Sequence, residues 1–321
     1  MTEHFVTLFD HVFLAQGLAL YQSLLEHGGD FVLWVLCLDS ECLQVLRKLN
    51  LPRIRLLNLA ILETPALLAV KAGRTQAEYC WTLTPWSIQW VFESDPRVQR
   101  VTYLDADLFF LKSPTPIFDE FAASGRAVLI TEHGYAPEYD QTPTSGRYCV
   151  QFLPVVRGAG EPVLYWWRER CLEWCFARNE DSLFGDQKYL ERFSEIFPGL
   201  VYDIGSDCRF QGPWNASVCP FSVAIAFHFH GLRVLSTQFI SLSTYPLPTP
   251  HLFYVYLPYC RLLRMLASQC DIDVISQGAS PSFLSLFIRK VKRIAYKVLL
   301  DQSLSPRWCI SRGLNSDMSF L

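Results

Sequence analysis

The chain is poor in charge. Only 18% of its 321 residues are Asp, Glu, Lys or Arg, with 28 basic against 31 acidic, and the formal net charge is -3. That balance gives no support for a nucleic-acid partner, whose phosphates demand a basic face. No stretch reaches the roughly 18 consecutive apolar residues that a membrane-spanning helix needs. The first residues, Met1-Thr2-Glu3-His4-Phe5, lack the basic start and apolar core of a secretory leader, so a cytoplasmic location is expected. The eleven cysteines contain no C-x-x-C pair, and no internal repeat is present. An odd cysteine count without an export signal reads as reduced, mostly buried thiols, with Cys171 and Cys175 one helical turn apart. The sequon Asn215-Ala216-Ser217 is then coincidental.

What is abundant is apolar surface. Half the residues are hydrophobic and 14% are aromatic, enough to fill a large core. Strand and helix signals alternate: residues 5–9 read as strand, 12–25 as helix, 31–37 as a continuous apolar strand, and 42–49 as helix. A helix over 85–93 leads to a strand at 101–104. This alternation predicts an α/β fold, a mainly parallel, Rossmann-like sheet flanked by helices. Further strands are expected at 127–130, 148–156 and 223–227, with a long aromatic helix at 161–178. Pro246, Pro248 and Pro250 mark a boundary near residue 245, dividing a domain at 1–245 from a helical extension at 246–321.

The extension carries a helix near 256–268 and an amphipathic one over 283–300. The latter puts Phe283, Phe287, Val291, Ile294 and Val298 on one half of a helical wheel, and Arg289, Lys290, Lys292, Arg293 and Lys297 on the other. It reads either as a packed helix with a solvated face or as an interfacial helix on an anionic membrane surface. In the second case each cation adds on the order of 1 kcal/mol.

The chemistry-bearing run is Val101-Thr102-Tyr103-Leu104-Asp105-Ala106-Asp107-Leu108. It is an apolar strand that ends in two carboxylates one residue apart. Strand side chains alternate faces, so Asp105 and Asp107 are expected on one side. Such a pair needs a cation or hydrogen-bond donors to offset its repulsion. Ligands of open α/β sheets gather beyond the carboxyl ends of strands, where this pair falls. A third candidate ligand is His228 in Phe227-His228-Phe229-His230-Gly231-Leu232-Arg233. There Gly231 permits close backbone approach and Arg233 offers a phosphate fork. By itself an Asp-x-Asp pair also fits a strand end or a helix cap.

With the Asp-Gln segment Phe184-Gly185-Asp186-Gln187 and the late His228-x-x-Gly231, the chain resembles the nucleotide-diphospho-sugar transferases of the GT-A fold. Glycosyltransferase family 8 and related bacterial glycosyltransferases are the nearest likeness, over about residues 5–235. The resemblance implies that Asp105, Asp107 and His228 hold a divalent cation. A mixed oxygen and imidazole set suits Mn2+ better than Ca2+, with Mg2+ as a substitute. It implies a nucleotide-diphosphate sugar, a UDP-sugar by family habit, bordered by Leu8 and Asp10 at the base, Asp105 at the ribose, and Arg74, Gly231 and Arg233. Asp186 and Gln187 would face the sugar as the catalytic pair, and His133, Gln151, Trp214 and Asn215 would stand toward the acceptor. The implied reaction is transfer with retention to a saccharide or lipid-linked saccharide, in bacterial surface polysaccharide or glycoconjugate assembly. The protein would be cytoplasmic or peripheral on the inner face of the plasma membrane.

The chain also departs from that pattern. Tyr148-Cys149-Val150-Gln151-Phe152 replaces the usual Asn-x-Gly turn, Val234 stands where a lysine is usual, and Tyr79-Cys80-Trp81-Thr82 occupies the customary arginine position. Structural alternatives stand beside several roles. Asp186 also suits a helix N-cap, His133 a strand cap and Trp214-Asn215 a plain turn, while Trp166, Trp167 and Trp174 suit the core better than a sugar platform. Cys80 and Cys149 read as buried thiols. Two rival functions are a non-catalytic, membrane-associated GT-A-like binding protein and a sugar nucleotidyltransferase. The second is disfavoured, because Asp10-His11-Val12-Phe13-Leu14 follows the first strand in place of a Gly-rich basic loop.

Overall fold

The computed structural model describes residues 2–236 and 239–270, which fall into two compact units divided along the chain between His230 and Gly231. That division precedes the expected boundary near residue 245. The helix expected over 283–300 lies outside the described residues.

In chain order the first unit's strands are β1 (Glu3–Phe9), β2 (Phe31–Cys37), β3 (Ile54–Asn58), β4 (Arg100–Leu104), β5 (Leu108–Phe110), β6 (Val128–Glu132), β7 (Tyr148–Cys149), β8 (Phe152–Val156), β9 (Val201–Asp203), β10 (Phe210–Gln211) and β11 (Ala226–His228). The central sheet runs β3-β2-β1-β4-β8-β6-β7, with β9 beside β6. β1 pairs in parallel with both β2 and β4, and β2 with β3. β8 then runs antiparallel to β4. Helices cover both faces of such a sheet, which is why β1 and β2 are continuous apolar runs rather than alternating ones. The chain leaves β1 on one side toward β2 and returns on the other as β4. The carboxyl ends of β1 and β4 therefore flank a topological switch point, where the sheet leaves a crevice.

Several local expectations change. The helix expected from residue 85 spans Gln76–Ser94, with Pro85 inside it. Its true start is a capping box, visible in the sequence as Thr75-x-x-Glu78. The Glu78 carboxylate accepts from the Thr75 amide at 2.8 Å, and Thr75 Oγ1 accepts from the Glu78 amide at 3.3 Å. Burial of Tyr79, Leu83, Trp86, Ile88, Val91 and Phe92 offsets what the proline ring costs. The helix expected over 161–178 ends at Glu173, because Trp174 turns extended, and Cys175 lies beyond it. The strand expected over 148–156 breaks at Val150-Gln151 into β7, which pairs with β6, and β8, which pairs with both β4 and β6.

The uniformly reduced thiols are also corrected. Cys208 and Cys219 form a disulfide with their Cα atoms 5.4 Å apart, while eight other described cysteines are free. The pairing depends on a loop folding back on itself, which spacing alone does not reveal.

The second unit opens with an antiparallel hairpin of β12 (Arg233–Ser236) and β13 (Phe239–Ser241). A π turn at Leu252–Tyr256 leads into the helix Leu257–Gln269, which buries Tyr259, Cys260 and Leu263. Among the described residues no helix is long and apolar enough to cross a membrane.

Because the capping box closes the start of the helix behind β1 and β4, Thr75→Ala is expected to lower the unfolding free energy by about 1 kcal/mol. Thr75→Ser should leave it nearly unchanged. Urea denaturation followed by circular dichroism distinguishes the two.

Candidate active site

Strand β4 delivers Asp105 to the crevice. Its backbone N–H continues the β4–β8 ladder by donating to the Gln151 carbonyl at 3.2 Å. The strand does not persist through the acidic pair, as alternation required. Ala106 and Asp107 form a turn, closed by the Leu108 amide donating to the Asp105 carbonyl at 3.0 Å. The two carboxylates nevertheless converge, because the turn folds Asp107 back and because β5 pairs with β11. In that antiparallel register Leu108 faces His228, and the Phe229 amide donates to the Asp107 carbonyl at 2.9 Å.

The result is a three-residue centre. His228 Nε2 lies 3.1 Å from Asp107 Oδ1 and 3.7 Å from Asp105 Oδ2. The Tyr103 hydroxyl donates to Asp105 Oδ1 at 2.9 Å and fixes its orientation. Burial raises the Asp105 carboxyl above the usual carboxylate range, and nearby Asp107 adds to this while His228 opposes it. Burial works against a charged His228, yet Asp107 and Asp105 together hold its imidazole well above the ordinary histidine range. The ring's other nitrogen, Nδ1, lies 3.8 Å from the buried Cys149 Sγ.

A third carboxyl group stands beside this centre. Asp186 precedes the 3-10 turn Gln187–Arg192 but does not cap it with its side chain. Its carboxyl is engaged by Thr84, which also steadies the Tyr103 hydroxyl. Trp167 Nε1 donates to the Asp186 carbonyl at 2.9 Å, so this tryptophan is core and anchor rather than platform. Gly185 takes a left-handed φ of 53°, and a Cβ there would stand 3.2 Å from the Trp81 ring. Burial and the like charge of Asp105 push the Asp186 carboxyl up to about 7. Its partner Gln187 donates its side-chain amide to the Ser145 carbonyl.

The residues assigned to the acceptor are all buried, and Trp214 among them packs against His228. Trp214 packs edge-on to the His228 ring at 5.3 Å and to His133 at 5.1 Å. Its Nε1 donates to the His133 carbonyl at 2.7 Å, as does Asn215 Nδ2 at 2.9 Å. Asn215 is 1% exposed, which also closes the sequon to modification. Burial pushes the His133 imidazole down to about 3, so it stays neutral. Gln151 is fully buried, and neither atom of its side-chain amide has a hydrogen-bond partner.

The residues assigned to the donor are spread more widely. Asp10, just beyond β1 at the switch point, accepts from the Val12 and Phe13 amides at 3.0 and 3.2 Å and from the Gln76 side chain. Leu8 packs in the core with Trp34 and Leu57. Arg74 donates to Thr82 and to the Leu172 carbonyl, and stacks over Phe176. Gly231 and Arg233 belong to the second unit, where Arg233 donates to the Leu232 carbonyl at 2.8 Å. Sequence reasoning set Cys149 near the presumed cleft as a buried thiol without connecting it to His228, and it missed Tyr103 and Thr84 as neighbours of the acidic groups. Tyr103 alone left a signal, two residues before Asp105 on the same strand.

No protein-family model matches the chain. It is 36% identical over 256 residues to the uncharacterized protein YfnF of Bacillus subtilis (strain 168), covering 74% of this chain and 84% of that protein. It is 30% identical over 312 residues to YfnD of the same organism, covering 90% and 96%. The chain belongs to the family of YfnF and YfnD. Among solved structures it is similar to the galactosyltransferase LgtC in complex with donor and acceptor sugar analogs, with a TM-score of 0.53, 13% identity, and coverage of 85% of this chain and 98% of that one. An active-site mutant of LgtC matches over the same shares with a TM-score of 0.50 and 14% identity. The fold is GT-A, as the sequence motifs implied.

The raised Asp186 group has a consequence for stability. The native state keeps a proton that the unfolded chain gives up above about pH 4, so stability is lost as pH rises from there to about 7. Asp186→Asn removes that loss. The variant is expected to be more stable than the parent at pH 8, by on the order of a few kcal/mol, and nearly equal to it at pH 4. Urea denaturation at the two pH values checks this.

Proposed function

We propose that the chain is a metal-dependent glycosyltransferase. It moves a sugar from a nucleoside-diphosphate donor, a UDP-sugar first, to a saccharide or lipid-linked saccharide acceptor. The observation that carries this reading is the convergence of Asp105 and Asp107 on His228 Nε2, within 3.1–3.7 Å, beside the switch point of a GT-A sheet. Two carboxylates that face one imidazole nitrogen offer donors suited to Mn2+ or Mg2+, and the ligand atoms of Asp105, His228 and Cys149 lie within 4.8 Å of one another.

In this reading Asp105, Asp107 and His228 hold the ion, which when bound supplies Lewis-acid neutralisation of the departing diphosphate. Tyr103 keeps the Asp105 carboxylate in one orientation. The bond between the anomeric carbon and the diphosphate oxygen breaks with its electron pair leaving on that oxygen, a bond to the acceptor oxygen forms, and the acceptor hydroxyl's proton passes to the departing diphosphate. Positive charge develops on the sugar ring along the way. Asp186 is the carboxylate that stabilises it, a buried side chain engaged by Thr84 and fixed at its backbone carbonyl by Trp167. Family resemblance adds retention of configuration, and the amphipathic basic sequence over 283–300 supports an acceptor at a membrane surface, as in surface polysaccharide or glycoconjugate assembly.

Two side chains favour a second reading, in which the chain binds the donor without turning it over. Gln187 is engaged by Ser145, and Gln151 stands in the segment that departs from the family pattern. That reading requires Mn2+-dependent donor affinity with no product from any acceptor.

Purified protein with Mn2+ is expected to release nucleoside diphosphate from one member of a nucleotide-sugar panel. Asp107→Asn should lower kcat/KM by about 100-fold or more, roughly 3 kcal/mol of transition-state stabilisation. Unchanged turnover by that variant at saturating Mn2+ would end the proposal.

A further inference from the structure

We infer that Cys149 is a positioning residue for His228: its sulfur holds the Nδ1 proton, so that Nε2 presents a lone pair to the cation. The inference rests on the cation reading above and deepens it. Imidazole binds a metal through one nitrogen, and the partner of the other nitrogen decides which tautomer is present. The two nitrogens of His228 face different chemistry. Nε2 looks toward Asp107 and Asp105 at 3.1 and 3.7 Å, whereas Nδ1 lies 3.8 Å from Cys149 Sγ. That separation is within reach of an N–H···S hydrogen bond. Both side chains are buried, His228 at 7% exposure and Cys149 at 4%, so water does not readily stand in for the sulfur.

Metal-bound histidines ordinarily donate their second N–H to a carboxylate, a carbonyl or water. A thiol is a weaker acceptor, yet unlike a carboxylate or a carbonyl it can donate as well as accept. The sulfur faces the ring nitrogen that Asp105 and Asp107 do not. β7 places it there. Cys149 pairs with Thr131 of β6, immediately before the Val150-Gln151 turn whose carbonyl holds Asp105. One break in the strand thus sets the backbone position of Asp105 and the ring orientation of His228 together.

The test uses the full chain with Mn2+ and Mg2+ as probes. Cys149→Ala is expected to weaken Mn2+ binding about 10- to 100-fold by calorimetry, and Cys149→Ser, which restores an acceptor, to recover most of it. In the unmodified protein loaded with Mg2+, nitrogen NMR of His228 should show a single tautomer protonated at Nδ1. This measurement requires no variant to fold. Normal Mn2+ affinity in Cys149→Ala, together with loss of affinity in His228→Ala, would overturn the positioning role while sparing the cation reading. Normal affinity in both variants would overturn the cation reading itself. A sulfur-to-metal charge-transfer band on loading with Co2+ would also overturn the inference, since the sulfur would then be a ligand.

Discussion

The structure turns on one short antiparallel pairing. β5 and β11 bring Leu108 opposite His228, and this seam sets an imidazole against two carboxylates from a distant part of the chain. Without it Asp105 and Asp107 would be like charges at a strand end, each raising the other's proton affinity. With it they share a cationic partner through one nitrogen. The three-stranded sheet β10-β11-β5 is small, but its register sets His228 beside the end of β4. Trp214 packs edge-on against that imidazole and against His133.

The surroundings are arranged to hold charge in a poorly solvated place. Asp105 and Asp186 are both raised, by burial first and by acidic neighbours second, and Tyr103 and Thr84 stand between them. Keeping such groups close costs native stability at neutral pH, a cost that the large aromatic core around Trp34, Trp86, Trp90 and Trp167 offsets. Strain of this kind is expected where a fold must receive a multivalent cation or a developing positive charge, either of which relieves it. The capping box at Thr75, the Gly185 turn and the Val150-Gln151 break are the local devices that place these groups.

Much of this was legible in the residues. β2 was read to its ends, because a doubly covered strand is a continuous apolar run that nothing else imitates at that length. The helix Gln76–Ser94 was read too short because Pro85 looked like a beginning. The Thr75–Glu78 box was the better signal, since burial lets a helix tolerate a proline within it. The Cys208–Cys219 pair and the contact of Cys149 with His228 left no trace in spacing. Both depend on how loops close in space, and a cysteine carries no periodic signature.

Taken by itself, the order of residues determined the α/β architecture, the acidic pair at the end of β4 and the candidacy of His228. Those features follow from hydrophobic periodicity and from chemistry confined to a few neighbouring positions. Only the tertiary structure decided that Asp105 and Asp107 meet through a turn rather than along a strand, that Trp214 and Asn215 are buried behind His228, and that a thiol faces the ring's second nitrogen. Each of these is a contact between segments remote in the chain. Such contacts are set by strand register and side-chain packing, and local pattern specifies neither.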